Sequence, residues 1–390
     1  MQTEPQAIND LGAFSSATVV LQSTPTKVQA PPRAPFIGVD LEGFHQEVRD
    51  LRRELEDGLC EADLEHLYKI ERWGKIATAV GMATAWMGPN LISALGLGLG
   101  RSTRWILMHH IGHRGYDKVP GTPERYTSKA FARGRRRYLD WADWMIPEAW
   151  IYEHNVLHHS HTGEVQDPDL VERNSVPLRH PRVPKAARYG FVALMAASWK
   201  AYYYAPNTLR EFTHRGKPTK ADGTDYPVPK LELLAKCYLP YAALQFVGLP
   251  LLFSPLGPLA VASAFTNSVL AEIVTNAHTF AVVGPNHAGD DLYRFTDKPK
   301  TRAEHLARQV VGTVNFPTGG DLNDYAHLWL NYQVEHHLFP DMPMTKYQEV
   351  QPKVKAICEK YGIPYIQENV FSRVKKLVDI MVGNAQMKSV

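Results

Sequence analysis

The composition of this 390-residue chain narrows the classes of protein to which it can belong. The formal net charge of +3 is small for this length, which argues against a nucleic-acid-binding protein. Its three cysteines, Cys60, Cys237 and Cys358, are far apart and in no metal-ligand spacing, so we expect a reducing compartment without a disulfide framework. The first residues lack the basic and apolar segments of a signal peptide, and none is expected.

The N-terminal part of the chain is polar. Residues 1–36 are rich in Pro, Thr, Ser, Gln and Ala without periodicity, which predicts disorder. Residues 37–72 combine charges of alternating sign with apolar residues at helical spacing, which predicts an amphipathic helical region. Residues 76–100 carry no charge, but Pro89-Asn90 lies in their middle. This run is therefore either one kinked membrane span or a short re-entrant hairpin.

The strongest membrane signal lies in residues 237–284, where Glu272 is the only charged residue. The Pro- and Gly-rich segment 254–258 divides the run into halves that are each long enough to cross a bilayer, which predicts a transmembrane hairpin. Because a hairpin returns the chain to the side it left, the segments before and after it face the same compartment. We therefore predict a membrane domain at residues 73–345 and a C-terminal cytosolic helical tail at residues 346–390.

Nine of the 17 histidines fall in three short segments, 109–113, 154–161 and 333–337. Imidazole suits iron, copper, zinc and nickel, and each ion takes only a few ligands. Seven or eight convergent histidines without a thiolate therefore indicate more than one ion. Two irons with nitrogen-dominated ligand shells and open positions for dioxygen fit this number.

The pattern of these segments resembles the three histidine boxes of the membrane-bound fatty acid desaturase and hydroxylase family. The motifs are His109-x-x-x-His113, His154-x-x-x-His158-His159 and Gln333-x-x-His336-His337. The third is most similar to acyl-lipid and front-end desaturases, in which Gln replaces the first histidine of the box. The resemblance covers about residues 76–345.

The resemblance implies a set of iron ligands. The box histidines would bind iron directly: His109, His113, His154, His158, His159, His336 and His337. A further ligand would come from the end of the last spanning helix, where His278 is the candidate. Gln333 would either ligate iron or orient a ligand.

Several other residues are expected to support these ligands. His110 and His161 are candidate hydrogen-bond partners of ligands, and so is Glu272, whose carboxylate is costly inside an apolar helix unless it has a partner. Asp167 and Asp169 are either such partners or turn caps.

The resemblance also implies a fold and a function. The fold would be an all-α integral membrane protein with a transmembrane hairpin and a cytosolic helical cap that holds a di-iron site. The activity would be oxygen-dependent desaturation of a fatty acyl or lipid chain.

Electrons would come from a separate ferredoxin or cytochrome b5 type carrier, because the chain has no His-Pro-Gly-Gly segment and no ferredoxin-like cysteines. The basic stretch 125–137 is a candidate docking surface for that carrier.

Two other functions stay open at this point. A hydroxylase acting on a fatty acyl or lipid-like substrate would use the same boxes. A divalent-metal transporter is a further alternative, although transporters place ligands near the bilayer midplane and these clusters lie at membrane ends.

Overall fold

The computed structural model describes residues 35–215 and 225–390, which are mostly helical. The predicted disorder of residues 1–36 lies almost wholly outside the described residues. The longer helices are α1 (Leu41–Asp57), α2 (Glu61–Thr84), α3 (Leu91–Gly112), α4 (Lys185–Trp199), α5 (Ala205–Thr213), α6 (Pro258–Val283), α7 (Arg302–Val311), α8 (Met344–Tyr361) and α9 (Val370–Val382). Shorter helical pieces include Pro147–Ile151, Tyr152–His158, His159–His161, Asp321–Ala326 and Gln333–Leu338. Two short strands, Tyr293–Arg294 and Lys388–Ser389, pair in parallel. The predicted all-α class is confirmed.

Two consecutive helical stretches are long and apolar enough to cross a membrane, Lys230–Leu256 and Pro258–His287. In the first, α-helical turns alternate with π-helical turns. Gly257 lies between the two stretches with φ of 95°. Residues with a Cβ atom rarely adopt this conformation, so glycine allows the chain to reverse here. The predicted helical hairpin is therefore confirmed.

The uncharged run around Pro89-Asn90 folds as a second helical hairpin, formed by α2 and α3. Asn90 caps α3 by accepting a hydrogen bond from the Ser93 backbone N–H at 2.8 Å. The turn is tied to α6, because Asn267 Nδ2 donates to the Ala85 carbonyl at 2.9 Å and Asn267 Oδ1 accepts from the Asn90 N–H. Of the two structures predicted for this run, the structure shows the hairpin and not the single kinked helix. As a result α3 and α6 run in the same direction and end at the same side of the bundle.

Glu272 makes its contacts inside the helix bundle. Its carboxylate pairs with Arg101 of α3, with an Nη1–Oε2 distance of 3.0 Å. It also accepts hydrogen bonds from Trp144 Nε1 and Asn276 Nδ2, both at 2.7 Å, and from the Tyr241 hydroxyl. Glu272 reaches no histidine among the described residues, so the expectation that it supports a metal ligand is not met. It instead joins α3, α6 and the neighbouring segments.

Replacing Arg101 by Met is expected to lower the free energy of unfolding by about 3–5 kcal/mol, because the Glu272 carboxylate would stay buried without its cation. The measurement is denaturant-induced unfolding of the purified protein in detergent. The double variant Arg101→Met, Glu272→Gln is the control and should recover part of the loss. Equal stability of the wild type and the single variant would contradict this role for the pair.

Helices from both ends of the chain enclose one side of the bundle. The apolar face of α1, with Phe44 and Leu55 buried, packs against α8. The edge of the Phe44 ring meets Tyr361 of α8 at a centroid distance of 6.1 Å. The hydroxyl of Tyr347, also on α8, lies 3.2 Å from His336 Nδ1. The C-terminal region thus contributes directly to the surroundings of the third histidine box.

Candidate metal centre

The three histidine boxes meet at the end of the bundle where α3 and α6 finish. One ring nitrogen from each of four histidines lies within 4.8 Å of those of the others, and we call this set the first histidine group: His109, His113, His154 and His336. A second histidine group meets the same limit: His158, His287 and His337. Segments that are far apart in the sequence therefore form each group.

The two histidine groups are neighbours. The second box places His154 in the first group and His158 in the second, with ring centroids 5.2 Å apart. The third box divides its adjacent pair, His336 and His337, in the same way, at 5.7 Å. His159 lies between the groups, with its ring stacked on His337 at 4.3 Å and 4.5 Å from His113. The arrangement is one centre with two halves.

The second box lies on a π-helical segment, Tyr152–His158, which a short α-helical piece, His159–His161, continues. In a π-helix the backbone hydrogen bonds join residues five apart, and such turns are frequent at functional sites. Within it the rings of His154 and His158 are stacked, with an interplanar angle of 20°. This turn lets one short segment supply both groups.

The imidazoles of the centre are buried and lack partners for several of their nitrogens. Both ring nitrogens of His154 and of His159 have no hydrogen-bond partner among the described residues, and the same holds for His109 Nδ1 and His113 Nε2. A buried polar atom without a partner is costly, so this number of unpartnered nitrogens fits the binding of a metal ion.

Burial also sets the protonation state of the centre. The pKa values of His113, His154 and His159 lie well below the usual range. Desolvation is the main cause, and repulsion from neighbouring imidazoles is the second. The same causes lower the pKa of His336 and His337. Neutral imidazole is the form that binds metal ions. The donor set therefore fits transition-metal ions of the kind that prefer nitrogen ligands.

Hydrogen bonds from outside the groups fix the orientation of three rings. Nδ1 of His158 lies 2.9 Å from Asp167 Oδ1, and both side chains are almost fully buried. Nδ1 of His337 lies 2.8 Å from Gln309 Oε1 on α7, and Nδ1 of His336 contacts Tyr347 as described above. With Nδ1 engaged, each ring is left to present Nε2 to the centre.

Asp167 is held in place by the backbone as well, because it accepts hydrogen bonds from the N–H groups of Gly163 and Asp169. Burial raises the pKa of Asp167, but the charge and hydrogen bond of His158 have the opposite effect. The net result is a pKa below the usual value of an aspartate. Asp169 makes no hydrogen bond to an imidazole among the described residues, but its carboxylate lies within 4.8 Å of a ring nitrogen of His154 and of a carboxylate oxygen of Glu153. It accepts a hydrogen bond from the Tyr203 hydroxyl at 3.3 Å, and burial raises its pKa to about 6.

Replacing Asp167 by Asn is expected to weaken metal binding by roughly 10–100-fold, the usual effect of losing a carboxylate that orients a ligand histidine. Metal titration of the purified apoprotein would measure it. The matched control is Glu164→Gln, because Glu164 is also a buried carboxylate bonded to a histidine, His161. Equal weakening in both variants would mean that the Asp167 contact has no specific effect.

Gln333 of the third box lies within the second group. Its Nε2 is 3.0 Å from His287 Nε2 and 3.2 Å from His337 Nε2, while its Oε1 accepts a hydrogen bond from Asn286. The side chain thus bridges two histidines of one group.

Besides His159, three histidines singled out in the sequence lie outside both groups. His278 sits inside α6, where Nε2 contacts the Ala326 carbonyl at 2.7 Å and Nδ1 contacts Ser102 Oγ at 3.2 Å. His161 is partly exposed and bonds to Glu164. His110 is fully buried without a partner, and its ring centroid is 5.8 Å from that of His336.

His287 takes the place in the centre that the sequence analysis gave to His278. It lies in the short helical turn Gly284–His287 that follows α6, and its ring is 4.6 Å from that of His158. The sequence contained a usable signal, since the apolar run ends at Gly284 and His287 follows within one turn. Sequence reasoning chose the histidine inside the last part of this run and overlooked the one just beyond its end.

A model of the fatty acid desaturase family matches residues 84–369, most of the chain and all three boxes. The chain belongs to the fatty acid desaturase family. The NADPH-dependent stearoyl-CoA 9-desaturase of Mycobacterium tuberculosis is 25% identical over 340 residues, 84% of this chain and 75% of that relative. The sn-1 linoleoyl-lipid 6-desaturase of Arthrospira platensis is 25% identical over 75% of this chain and 76% of its own length. The acyl-lipid (7-3)-desaturase of Rebecca salina is 30% identical over 55% of this chain and 48% of its own length.

The resemblance stated from the boxes is therefore confirmed at the level of the family. Membership supports an oxidoreductase that desaturates fatty acyl chains, and the buried histidine groups of this desaturase are compatible with a metal site.

Proposed function

We propose that this desaturase holds two iron ions in its two histidine groups and uses dioxygen with two external electrons to introduce a double bond into a fatty acyl chain. The observation that carries the proposal is the adjacent pair of imidazole groups, in which only His287 is partly exposed. Several ring nitrogens of the first group and of His159 have no partner among the described residues. When bound, an iron pair of this kind supplies the activation of dioxygen needed to remove hydrogen from an unactivated methylene.

The proposed ligand set is the seven box histidines together with His287. His109, His113, His154 and His336 would hold one ion, and His158, His287 and His337 the other, with His159 between them. Gln333 would orient His287 and His337. His278 is left out because it lies in neither group, and its ring nitrogens contact the Ala326 carbonyl and Ser102 Oγ instead.

The protein's own contribution is to position the ligands and to keep water from the centre. Trp150 is buried and stacks on His154 at 4.7 Å, and the buried Trp105 lies 5.5 Å from His109. These rings cover one side of the first group with apolar surface. A dry site of this kind suppresses side reactions with solvent.

The electron donor is proposed to be a separate protein of ferredoxin or cytochrome b5 type that meets the cap on the cytosolic side of a membrane. The basic stretch 125–137 offers less free charge for such docking than the sequence suggested. Arg125, Arg133 and Arg136 bond to Glu71, Glu148 and Asp140, and Arg137 is buried. Lys129 and Arg135 remain exposed, so the proposed docking contact centres on these two residues.

Mass spectrometry of lipids after expression in a host that supplies acyl lipids tests the activity. A loss of two hydrogens from an acyl chain is expected. A gain of one oxygen would mean hydroxylation with the same site, and unchanged lipids with oxygen-independent metal uptake would favour transport. In each case the metal content of the purified protein, expected to be about two irons per chain, should be measured on the same preparation.

A further inference from the structure

A cavity of about 290 Å³ lies between α2 and α3 and is closed by residues 125–140. On α3 it is lined by Arg104 and Leu107. His109 and His113 follow Arg104 by five and nine residues, which places them about 140° and about 180° round the helix from it. The cavity is therefore on the opposite side of α3 from the metal centre and is separate from the site described above.

The cavity carries an excess of positive charge. Four basic and two acidic side chains line the cavity, which gives a formal excess of two positive charges. They are Lys75, Arg104, Arg125 and Arg136, and Glu71 and Asp140. Both carboxylates are already engaged, since Glu71 pairs with Lys75 at 2.8 Å and with Arg125 at 3.2 Å, and Asp140 pairs with Arg136 at 2.7 Å.

Arg104 has no counterion of its own. Within the described residues its guanidinium makes no hydrogen bond and no ion pair, although the side chain is partly buried. Removing a cation from water without an anion is unfavourable, so an anionic ligand would stabilise this position. A phosphate group matches it well, because guanidinium binds phosphate through two parallel hydrogen bonds.

The rim of the cavity is apolar on one side. The uncharged run of α2 and α3, residues 76–100, begins directly after Lys75 and ends four residues before Arg104, so the cavity lies at one end of the apolar part of both helices. Leu139, which lines the cavity from the covering segment, is 71% exposed. Basic residues beside the start of an apolar helical surface mark the level of lipid headgroups at a membrane.

We propose that this cavity binds the phosphate of an anionic glycerophospholipid whose acyl chains leave the cavity past Leu139, toward the uncharged part of α2 and α3. The lipid is a bound partner and not the substrate, because α3 separates it from the histidines. A free phosphate ion would satisfy Arg104 but would leave the apolar rim without an occupant. Such a lipid would join α2, α3 and the covering segment, and so would stabilise the helix that carries the first box.

The test uses the full chain in nanodiscs of phosphatidylcholine with increasing phosphatidylglycerol, and native mass spectrometry counts the retained lipid. Arg104→Gln is expected to weaken phosphatidylglycerol binding at least about tenfold. The matched control is Arg135→Gln, which removes the same charge from an exposed residue of the covering segment that does not line the cavity. Full affinity in Arg104→Gln, or equal loss in both variants, would overturn the proposal.

Two further measurements keep the result decisive. If Arg104→Gln does not fold, Lys75→Gln replaces it, because the Lys75 side chain is 64% exposed, and unchanged affinity in that variant would contradict the site. The melting temperature of the wild type should rise with phosphatidylglycerol and not with inorganic phosphate. An equal rise with phosphate alone would identify a free-anion site and overturn the lipid assignment. None of these readouts depends on desaturase activity.

Discussion

Replacing His287 by Ala is expected to lower the iron content from about two to about one per chain and to reduce desaturation more than about 100-fold. That reduction is larger than the one typical of a residue that only orients a metal ligand. The reason is that His287 supplies one of the three imidazoles of the second histidine group. Iron should be measured by elemental analysis of the purified protein, and activity by the yield of unsaturated acyl chains.

His278→Ala is the matched control for this variant. Both histidines contact a backbone carbonyl through one ring nitrogen, His278 that of Ala326 and His287 that of Gly312. Loss of that contact should therefore affect folding similarly in the two variants, whereas the iron content should fall only in His287→Ala. Loss of iron in His278→Ala with retention in His287→Ala would restore the ligand set expected from the sequence.

Replacing His158 by Ala is expected to abolish turnover and to lower the bound iron. His158 belongs to the second group, and its ring is held by Asp167. His161→Ala provides a close comparison, because His161 also bonds to a buried carboxylate, Glu164, at 3.0 Å. Both variants leave a carboxylate without its partner, so they share that stability cost. His161→Ala should nevertheless keep most of its activity and iron, and an equal loss in the two variants would move His161 into the ligand set.

The sequence was sufficient to predict the class of fold and the convergence of the boxes. The Pro and Gly residues at 254–258 marked the reversal between the two long apolar helices, and Gly257 adopts the positive φ that such a reversal requires. The boxes, through their resemblance to the desaturase family, indicated His109, His113, His154 and His336, which the fold brings together. These predictions rest on local patterns, which a single sequence contains.

The contacts of Glu272 and the π-helical turn at residues 152–158 could not be predicted in the same way. The partner of a buried carboxylate depends on which helices become neighbours, and Arg101 is 171 positions away in the sequence. His154 and His158 are four residues apart, a spacing typical of one face of an α-helix, whereas the backbone adopts a wider turn that serves both groups. Both features follow from tertiary packing, which overrides local preference.

The central claim is that segments far apart in the chain meet to hold two irons between them, and iron-edge X-ray absorption of the purified full-length protein tests it most directly. The account predicts about two irons per chain, bound mainly by imidazole nitrogen and without sulfur ligands. The spectrum should also show that each iron has a second iron as a near neighbour. A single iron per chain, a sulfur-ligated iron or a chain that purifies active with no iron would contradict it.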